Sequence, residues 1–134
     1  MIFTRVYCTA TSRHARDFLK CLFAQSPFDI LSIQVDGGSE FRDEFETACE
    51  QRHIPLFVLP PRKPKWNGCA ERAHDITRYE FYPFYQELTT VTTLNKALSD
   101  YKNYYNHYRP HDGIGLETPM AYYQQLMQTN RAFP

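Results

Sequence analysis

Apolar residues recur along this chain with two different periods, which divide it into predicted strands and helices. The alternating segment Ile2 to Tyr7 predicts a strand, and the apolar positions between Ser12 and Gln25 follow helical spacing. Two short apolar runs, Ile30 to Val35 and Pro55 to Leu59, predict further strands buried in a sheet. This alternation of strands and helices favours an α/β layered domain with some parallel pairing.

Capping residues and prolines mark the predicted ends of the helices. The predicted N-caps are Thr11 or Ser12, then Ser39, then Thr89 or Thr90, and finally Thr118, and the predicted ends lie at Pro27, Pro83 and Pro110. Between the second and third helices, residues 60–68 hold three prolines and three cations, which predicts an irregular loop. Together these elements fit one domain of 134 residues.

Composition and charge argue against some classes of function and some cellular locations. A net charge of zero argues against a strongly basic, stand-alone DNA-binding domain. Apolar runs fall short of the roughly 20 residues of a membrane-spanning helix, and the N-terminus lacks the apolar block of a signal peptide. We therefore expect no membrane partner, and a cytoplasmic, nucleoid-associated location in a bacterium or a nuclear one in a eukaryote.

Two carboxylates stand where a metal site is expected. Asp36 follows the predicted strand that ends at Val35, and ligand sites in α/β sheets gather at the carboxyl ends of strands. Glu71 falls in the first turn of the predicted third helix, and carboxylate oxygens are the ligands that Mg²⁺ and Mn²⁺ prefer. The structural alternative is a common Asp-Gly turn and a glutamate that complements the helix dipole.

Basic and aromatic residues around Glu71 suggest contacts with nucleic acid. The cations between residues 60 and 78 are Arg62, Lys63, Lys65, Arg72 and Arg78. Lys65 and Trp66 suit a phosphate contact and stacking on a base, although Trp66 would equally suit a core position. The tyrosines between Tyr101 and Tyr108 return at helical spacing, which favours core or interface packing over base stacking.

Three motifs carry a family resemblance. VDGGSEF at 35–41, PPRKPKWNGCAER at 60–72 and YYNHYRPHDGIGLETPMAYY at 104–123 resemble the catalytic core of retroviral integrases and bacterial insertion-sequence transposases. In that family 34 residues separate the second catalytic Asp from the catalytic Glu, and residues 37–70 number 34 here.

The resemblance implies a ribonuclease-H-like fold, in which helices flank a five-stranded mixed sheet and an Asp-Asp-Glu triad holds two metal ions. The family's first Asp lies on a strand upstream of the one that matches Ile2 to Tyr7, so we expect the first two strands and that ligand to be missing here. The resemblance also divides the chain into a ribonuclease-H-like part, residues 1–88, and a helical C-terminal extension, residues 89–134.

By the same resemblance the function is DNA integration or transposition through metal-dependent phosphodiester transfer, with Mg²⁺ or Mn²⁺ held by Asp36 and Glu71. The expected DNA-binding residues, for mobile-element ends and target DNA, are Arg62, Lys65, Trp66, Arg72 and Arg78. We expect this chain alone to be inactive without the first Asp, and to form a homo-oligomer through the edge of Ile2 to Tyr7. The alternative is an inactive truncated or domesticated remnant that only binds nucleic acid and oligomerises. The resemblance does not separate a transposase from a retroelement integrase.

Overall fold

The computed structural model describes residues 1–60, 68–85 and 87–131 of the chain. By its internal contacts the chain divides into two compact units. One is the continuous segment Tyr7–Asp75, and the other combines Met1–Val6 with Ile76–Pro134. None of the helices in the described ranges is long and apolar enough to cross a membrane.

The Tyr7–Asp75 unit contains two short parallel strands and the helices around them. Its elements in chain order are α1 (Ser12–Gln25), β1 (Ile33–Val35), a 3₁₀ turn (Ser39–Phe41), α2 (Glu44–Glu50), β2 (Leu56–Val58) and the beginning of α3 (Gly68–Glu80). In the parallel ladder Ile33 pairs with Leu56 and Val35 with Val58. The crossover between the strands runs through α2, as parallel pairing requires.

A small apolar core holds this unit together. Leu19 of α1, Val35 of β1 and three residues of α2 are buried together. The α2 residues are Phe45, Ala48 and Cys49. Both helices therefore pack on the sheet through their apolar faces, and β1 is fixed by the side chain directly before Asp36.

The second unit is mainly helical. It contains the end of α3, a 3₁₀ turn (Tyr82–Phe84), α4 (Val91–His107), a second 3₁₀ turn (Asp112–Ile114) and α5 (Pro119–Arg131). Its buried apolar residues are Ile2, Phe81, Leu98, Tyr101 and Tyr105. Of the tyrosines predicted to pack, Tyr101 and Tyr105 are buried, whereas Tyr104 and Tyr108 are 49% and 68% exposed.

The prediction of a strand over Ile2 to Tyr7 is wrong for the described structure, which has no ladder there. Asparagine side chains of α4 take the place of a neighbouring strand. Ile2 N–H donates to Asn106 Oδ1 at 2.8 Å, and Asn106 Nδ2 donates to the carbonyl of Ile2 at 2.9 Å. Asn95 pairs with the N–H and carbonyl of Val6 in the same way, at 2.8 and 2.9 Å.

The edge predicted to pair with another chain therefore has four of its backbone groups occupied. Both asparagines lie on α4, eleven residues or about three turns apart, so they share one face of the helix. The homo-oligomer stays a prediction, but Ile2 and Val6 cannot offer these groups to a neighbouring strand.

Two further predictions need correction. Ser39 opens the 3₁₀ turn and does not cap α2, which begins at Glu44 after Asp43 adopts a positive φ of 47°. The second strand of the sheet was expected to be buried, yet Phe57 and Val58 are 58% and 54% exposed. The apolar composition of this strand predicted burial, but much of the surface of these two side chains is exposed to solvent.

The predicted helix caps are largely confirmed. Thr11 caps α1, accepting from His14 N–H, and Thr90 caps α4, accepting from Thr93 N–H at 3.2 Å. Thr118 accepts from Ala121 N–H at 3.2 Å, directly before Pro119 opens α5. Each of these bonds satisfies an N–H group that has no partner within its helix.

Replacing Asn106 with alanine should destabilise the protein by about 2 kcal/mol or more, because a buried N–H and a buried carbonyl of Ile2 both lose their partner. Urea unfolding measures the free energy, and hydrogen exchange at the Ile2 amide reports the local loss. The matched control is Asn103→Ala, an exposed asparagine on the same helix. Equal stability of the two variants would show that the Asn106 pairing contributes nothing.

Candidate functional site

Asp36 lies directly after β1, where the sequence placed it. Its side chain is exposed, and Oδ1 accepts a hydrogen bond from Gly38 N–H at 3.2 Å. Val35, the residue before it, is buried in the core and 8% exposed. The carboxylate is thus oriented from both sides, by a buried strand residue and by a backbone donor.

Glu40 is a second carboxylate at this turn, and it was not among the predicted site residues. A Cβ added at Gly38 would lie 2.6 Å from Glu40 Oε2, so glycine at this position lets the Glu40 side chain fold back over the turn. The adjacent glycines and the acidic residue two positions later were the available signal. The carboxylates of Asp36 and Glu40 place negative charge on both sides of the Gly38 backbone.

Glu71 lies in the first turn of α3, as predicted, and it is exposed. Asp36 and Glu71 belong to the same unit, Tyr7–Asp75. Arg72 and Arg78 are both exposed on α3, where Arg72 follows Glu71 directly and Arg78 lies in the last turn. The other predicted DNA-binding residues, Arg62, Lys65 and Trp66, lie outside the described residues.

The described residues do not form a complete metal site. Asp36 and Glu71 offer the carboxylate oxygens that Mg²⁺ and Mn²⁺ prefer. Within residues 1–60, 68–85 and 87–131, however, no three His, Cys, Asp or Glu side chains come together as a group able to hold an ion. The donors have the right chemistry but are too few.

The strongest ion pair near a predicted motif joins Arg109 to Glu80, the last residue of α3. Arg109 Nε donates to Glu80 Oε2 at 2.8 Å and Nη2 donates to Oε1 at 2.5 Å, a bidentate geometry. Tyr101 O–H adds a third bond to Glu80 Oε2 at 3.3 Å. These bonds connect the segment that follows α4 to the end of α3.

The pKa values of this cluster follow from the pairing. The hydrogen bond from Arg109 holds the pKa of Glu80 below its usual value, and the same bond raises the pKa of Arg109. Burial, followed by the negative charge of Glu80, raises the pKa of Tyr101, so this phenol stays protonated. Glu80 itself gave no sequence signal, because its partner lies 29 positions away along the chain.

A family model described as "Integrase core domain" matches residues 52–119, just over half of the 134 residues. The chain belongs to the integrase core domain family. The matched range of this integrase core includes Glu71 and the Arg109-Pro110-His111 motif, whereas Asp36 precedes it.

Two known proteins extend the comparison. "Putative integrase ORF3" of Spiroplasma virus SpV1-C74 is 26% identical over 110 residues, which covers 72% of this chain and 30% of that protein. The integrase core thus spans about a third of the length of the curated relative that it matches. The crystal structure of the catalytic core domain of BIV integrase aligns with a TM-score of 0.72 at 23% identity, over 95% of this chain and 80% of that one. The predicted ribonuclease-H-like fold is thereby confirmed.

We predict that Glu80→Gln lowers the free energy of unfolding by about 1 kcal/mol at pH 7, a modest cost because the pair is partly exposed. Since the pKa of Glu80 is lowered in the folded state, its stabilisation is present above the ordinary glutamate pKa of about 4.3 and is lost as the pH falls through the lowered value. The free energies of unfolding of the wild type and the variant should therefore converge in urea unfolding as the pH falls below the ordinary glutamate range.

The matched control for this pH dependence is Glu87→Gln, which changes an exposed glutamate in the same unit. It should follow the wild type at every pH. A gap between wild type and Glu80→Gln that stays constant from pH 7 to pH 3 would rule out ionisation of Glu80 as the cause.

Proposed function

We propose that this integrase core takes part in DNA integration or transposition by metal-dependent transfer of DNA phosphodiesters, with Asp36 and Glu71 as two of the metal ligands. The observation that supports this most directly is their placement. Asp36 follows the buried end of a strand, Glu71 begins a helix, and both carboxylates are exposed within the same unit. Neither forms an ion pair with another described residue.

The proposal requires a third carboxylate from elsewhere. Two-metal phosphodiester chemistry uses the ions to activate the nucleophile and to stabilise the leaving oxygen, which needs more ligands than two side chains provide. The residues that the structure leaves undescribed, at 61–67, 86 and 132–134, contain no Asp, Glu or His. We infer that the further ligand comes from a segment beyond this sequence or from another chain.

Asp36 and Glu71 would contribute two positioned, negatively charged ligands to the metal site. The Gly38 N–H bond holds the Asp36 carboxylate in one orientation, so less entropy is lost when a ligand is bound. Glu71 is fixed by a helical backbone, which holds a donor more firmly than a loop does. A bound Mg²⁺ or Mn²⁺ would supply charge stabilisation that these side chains lack.

DNA contacts are proposed for the basic residues of α3 and of the segment before it. Arg72 and Arg78 are exposed, and neither forms an ion pair with a described residue, so both guanidinium groups can bind phosphate. Arg62, Lys65 and Trp66 are proposed as further contacts from their place in the sequence. Because the chain covers only 30% of its viral relative, joining of DNA ends is proposed for a larger protein.

The catalytic proposal predicts Mn²⁺-dependent cleavage or strand transfer on a labelled DNA end by a version extended with the residues that precede Met1 in the gene. The unextended chain should show little or no activity, because its described residues do not bring a third ligand to Asp36 and Glu71. Asp36→Asn and Glu71→Gln in the extended version should each reduce the rate at least about a hundredfold. The matched controls are Asp43→Asn and Glu46→Gln, exposed acids of the same unit.

The extended protein must remain folded for this comparison, which circular dichroism of each variant establishes. Full activity of Asp36→Asn or Glu71→Gln would contradict the assignment of that residue. If the folded, extended protein were inactive with every metal tried, the catalytic proposal would fail.

A second candidate function is DNA binding without chemistry, and the incomplete metal site among the described residues favours it. Binding dominated by phosphate contacts should weaken steeply as salt increases. Replacing Arg72 and Arg78 together with glutamine should reduce the slope of log affinity against log salt by about 2, since each phosphate contact contributes about 0.9. Fluorescence anisotropy on duplex DNA at several salt concentrations measures this slope.

The control for the slope is Arg13→Gln, which removes an exposed cation from α1. It should leave the slope unchanged. A double variant with the wild-type slope would show that the cations of α3 do not contact DNA.

A further inference from the structure

An open pocket of about 840 Å³ lies within the unit that contains α4. Residues from the last turn of α3, the 3₁₀ turn that follows it, α4 and the segment after α4 surround it. They are Tyr79, Glu80, Phe84, Tyr85, Asp100, Tyr101, Tyr104, Arg109 and Pro110. Five of the nine carry aromatic rings, which makes this pocket distinct from the acidic turn around Asp36.

The charges that line this pocket do not cancel. Glu80 and Arg109 neutralise each other through their bidentate bonds. Asp100 is exposed and forms no ion pair with any residue that the structure describes, including Lys96 one turn earlier on α4. The pocket therefore carries one uncompensated negative charge, which favours a cationic ligand.

Three of the aromatic side chains that line the pocket together with Asp100 are exposed to solvent. Tyr79 is 71% exposed, Phe84 is 77% exposed and Tyr104 is 49% exposed. Asp100 and Tyr104 are four residues apart on α4, so their side chains are neighbours on one face of the helix. A cation that contacts Asp100 would thus reach the face of an aromatic ring as well.

The same unit already contains an arginine that contacts both a carboxylate and a tyrosine ring. Arg109 binds the carboxylate of Glu80, and its guanidinium carbon lies 5.4 Å from the centroid of the Tyr105 ring. Asp100 and Tyr104 offer a second carboxylate and a second tyrosine, each directly exposed at the pocket. The chemistry that binds an internal arginine is therefore presented again to an external one.

We propose that this pocket binds an arginine side chain from a peptide segment of a protein partner, with Asp100 accepting its hydrogen bonds and Tyr104 contacting the guanidinium plane. Arginine fits better than lysine, because its planar fork pairs with a carboxylate and stacks on a ring at the same time. Nucleic acid is disfavoured, because the charge of Asp100 repels phosphate. Arginine and tyrosine also dominate the energetics of protein interfaces.

The test titrates the full chain with the peptide acetyl-Gly-Arg-Gly-amide and with the same peptide carrying citrulline, the neutral isostere of arginine. Chemical-shift changes at residues of the pocket report binding. The arginine peptide should bind to the wild type, and Asp100→Asn and Tyr104→Leu should each weaken its binding about fivefold or more. Asp112→Asn, which removes an exposed carboxylate of the same unit outside the pocket, should bind as the wild type does.

Three results would overturn the proposal: no binding of the arginine peptide by the wild type at millimolar concentration, equal binding of the citrulline peptide, or full affinity in Asp100→Asn. Circular dichroism confirms that each variant is folded, and Asp100→Asn is a conservative change at an exposed helical position. An oligothymidine that binds more tightly than the arginine peptide, in a way that depends on Tyr104, would assign the pocket to nucleic acid instead.

Discussion

The need of every backbone N–H and carbonyl for a partner is the constraint on which this structure depends. The Tyr7–Asp75 unit meets it with a parallel ladder between β1 and β2 and with the helices that pack on them. The other unit meets it within its helices and, at Ile2 and Val6, with side chains, because Asn106 and Asn95 each bond both backbone groups of one of these residues. A carboxamide carries both a donor and an acceptor, so one asparagine can bond the N–H and the carbonyl of one residue, as a neighbouring strand would.

The candidate site follows from the first of these arrangements. Because Val35 is anchored in the core, the chain direction at the end of β1 is fixed, and Asp36 emerges at a defined point. The same unit presents Glu71 on a helix, but no three acidic, His or Cys side chains among the described residues come together as a metal-binding group. The proposed chemistry would therefore need a further ligand beside Asp36 and Glu71. The electrostatics of α3 differ at its two ends, since Glu71 is exposed and Glu80 is neutralised by Arg109.

Features that depend on neighbours in sequence were predictable here, and features that depend on distant partners were not. Thr90 caps α4 and Pro119 opens α5 as expected, because capping and proline geometry act within one turn of helix. The position of Asp36 after a strand was predictable because the two glycines that follow it are a local turn signal. The alternation of Ile2 to Tyr7 is equally strand-like, but the ladder also requires a neighbouring strand, and the described residues provide asparagines instead. The Glu80 and Arg109 pair escaped prediction for the same reason.

The bond between Ile2 and Asn106 also sets an order of events during synthesis. Its partners are 104 positions apart, and a ribosome adds about 5–20 residues per second, so Ile2 waits about 5–20 seconds for Asn106 to be made. The Tyr7–Asp75 unit is continuous and can close its core before α4 exists. During that interval the backbone groups of Ile2 and Val6 have not yet met Asn106 and Asn95, and they can bond to a chaperone or to the same segment of a neighbouring nascent chain. The number of residues between two hydrogen-bonded partners thus sets how long the earlier one is exposed to non-native contacts during synthesis.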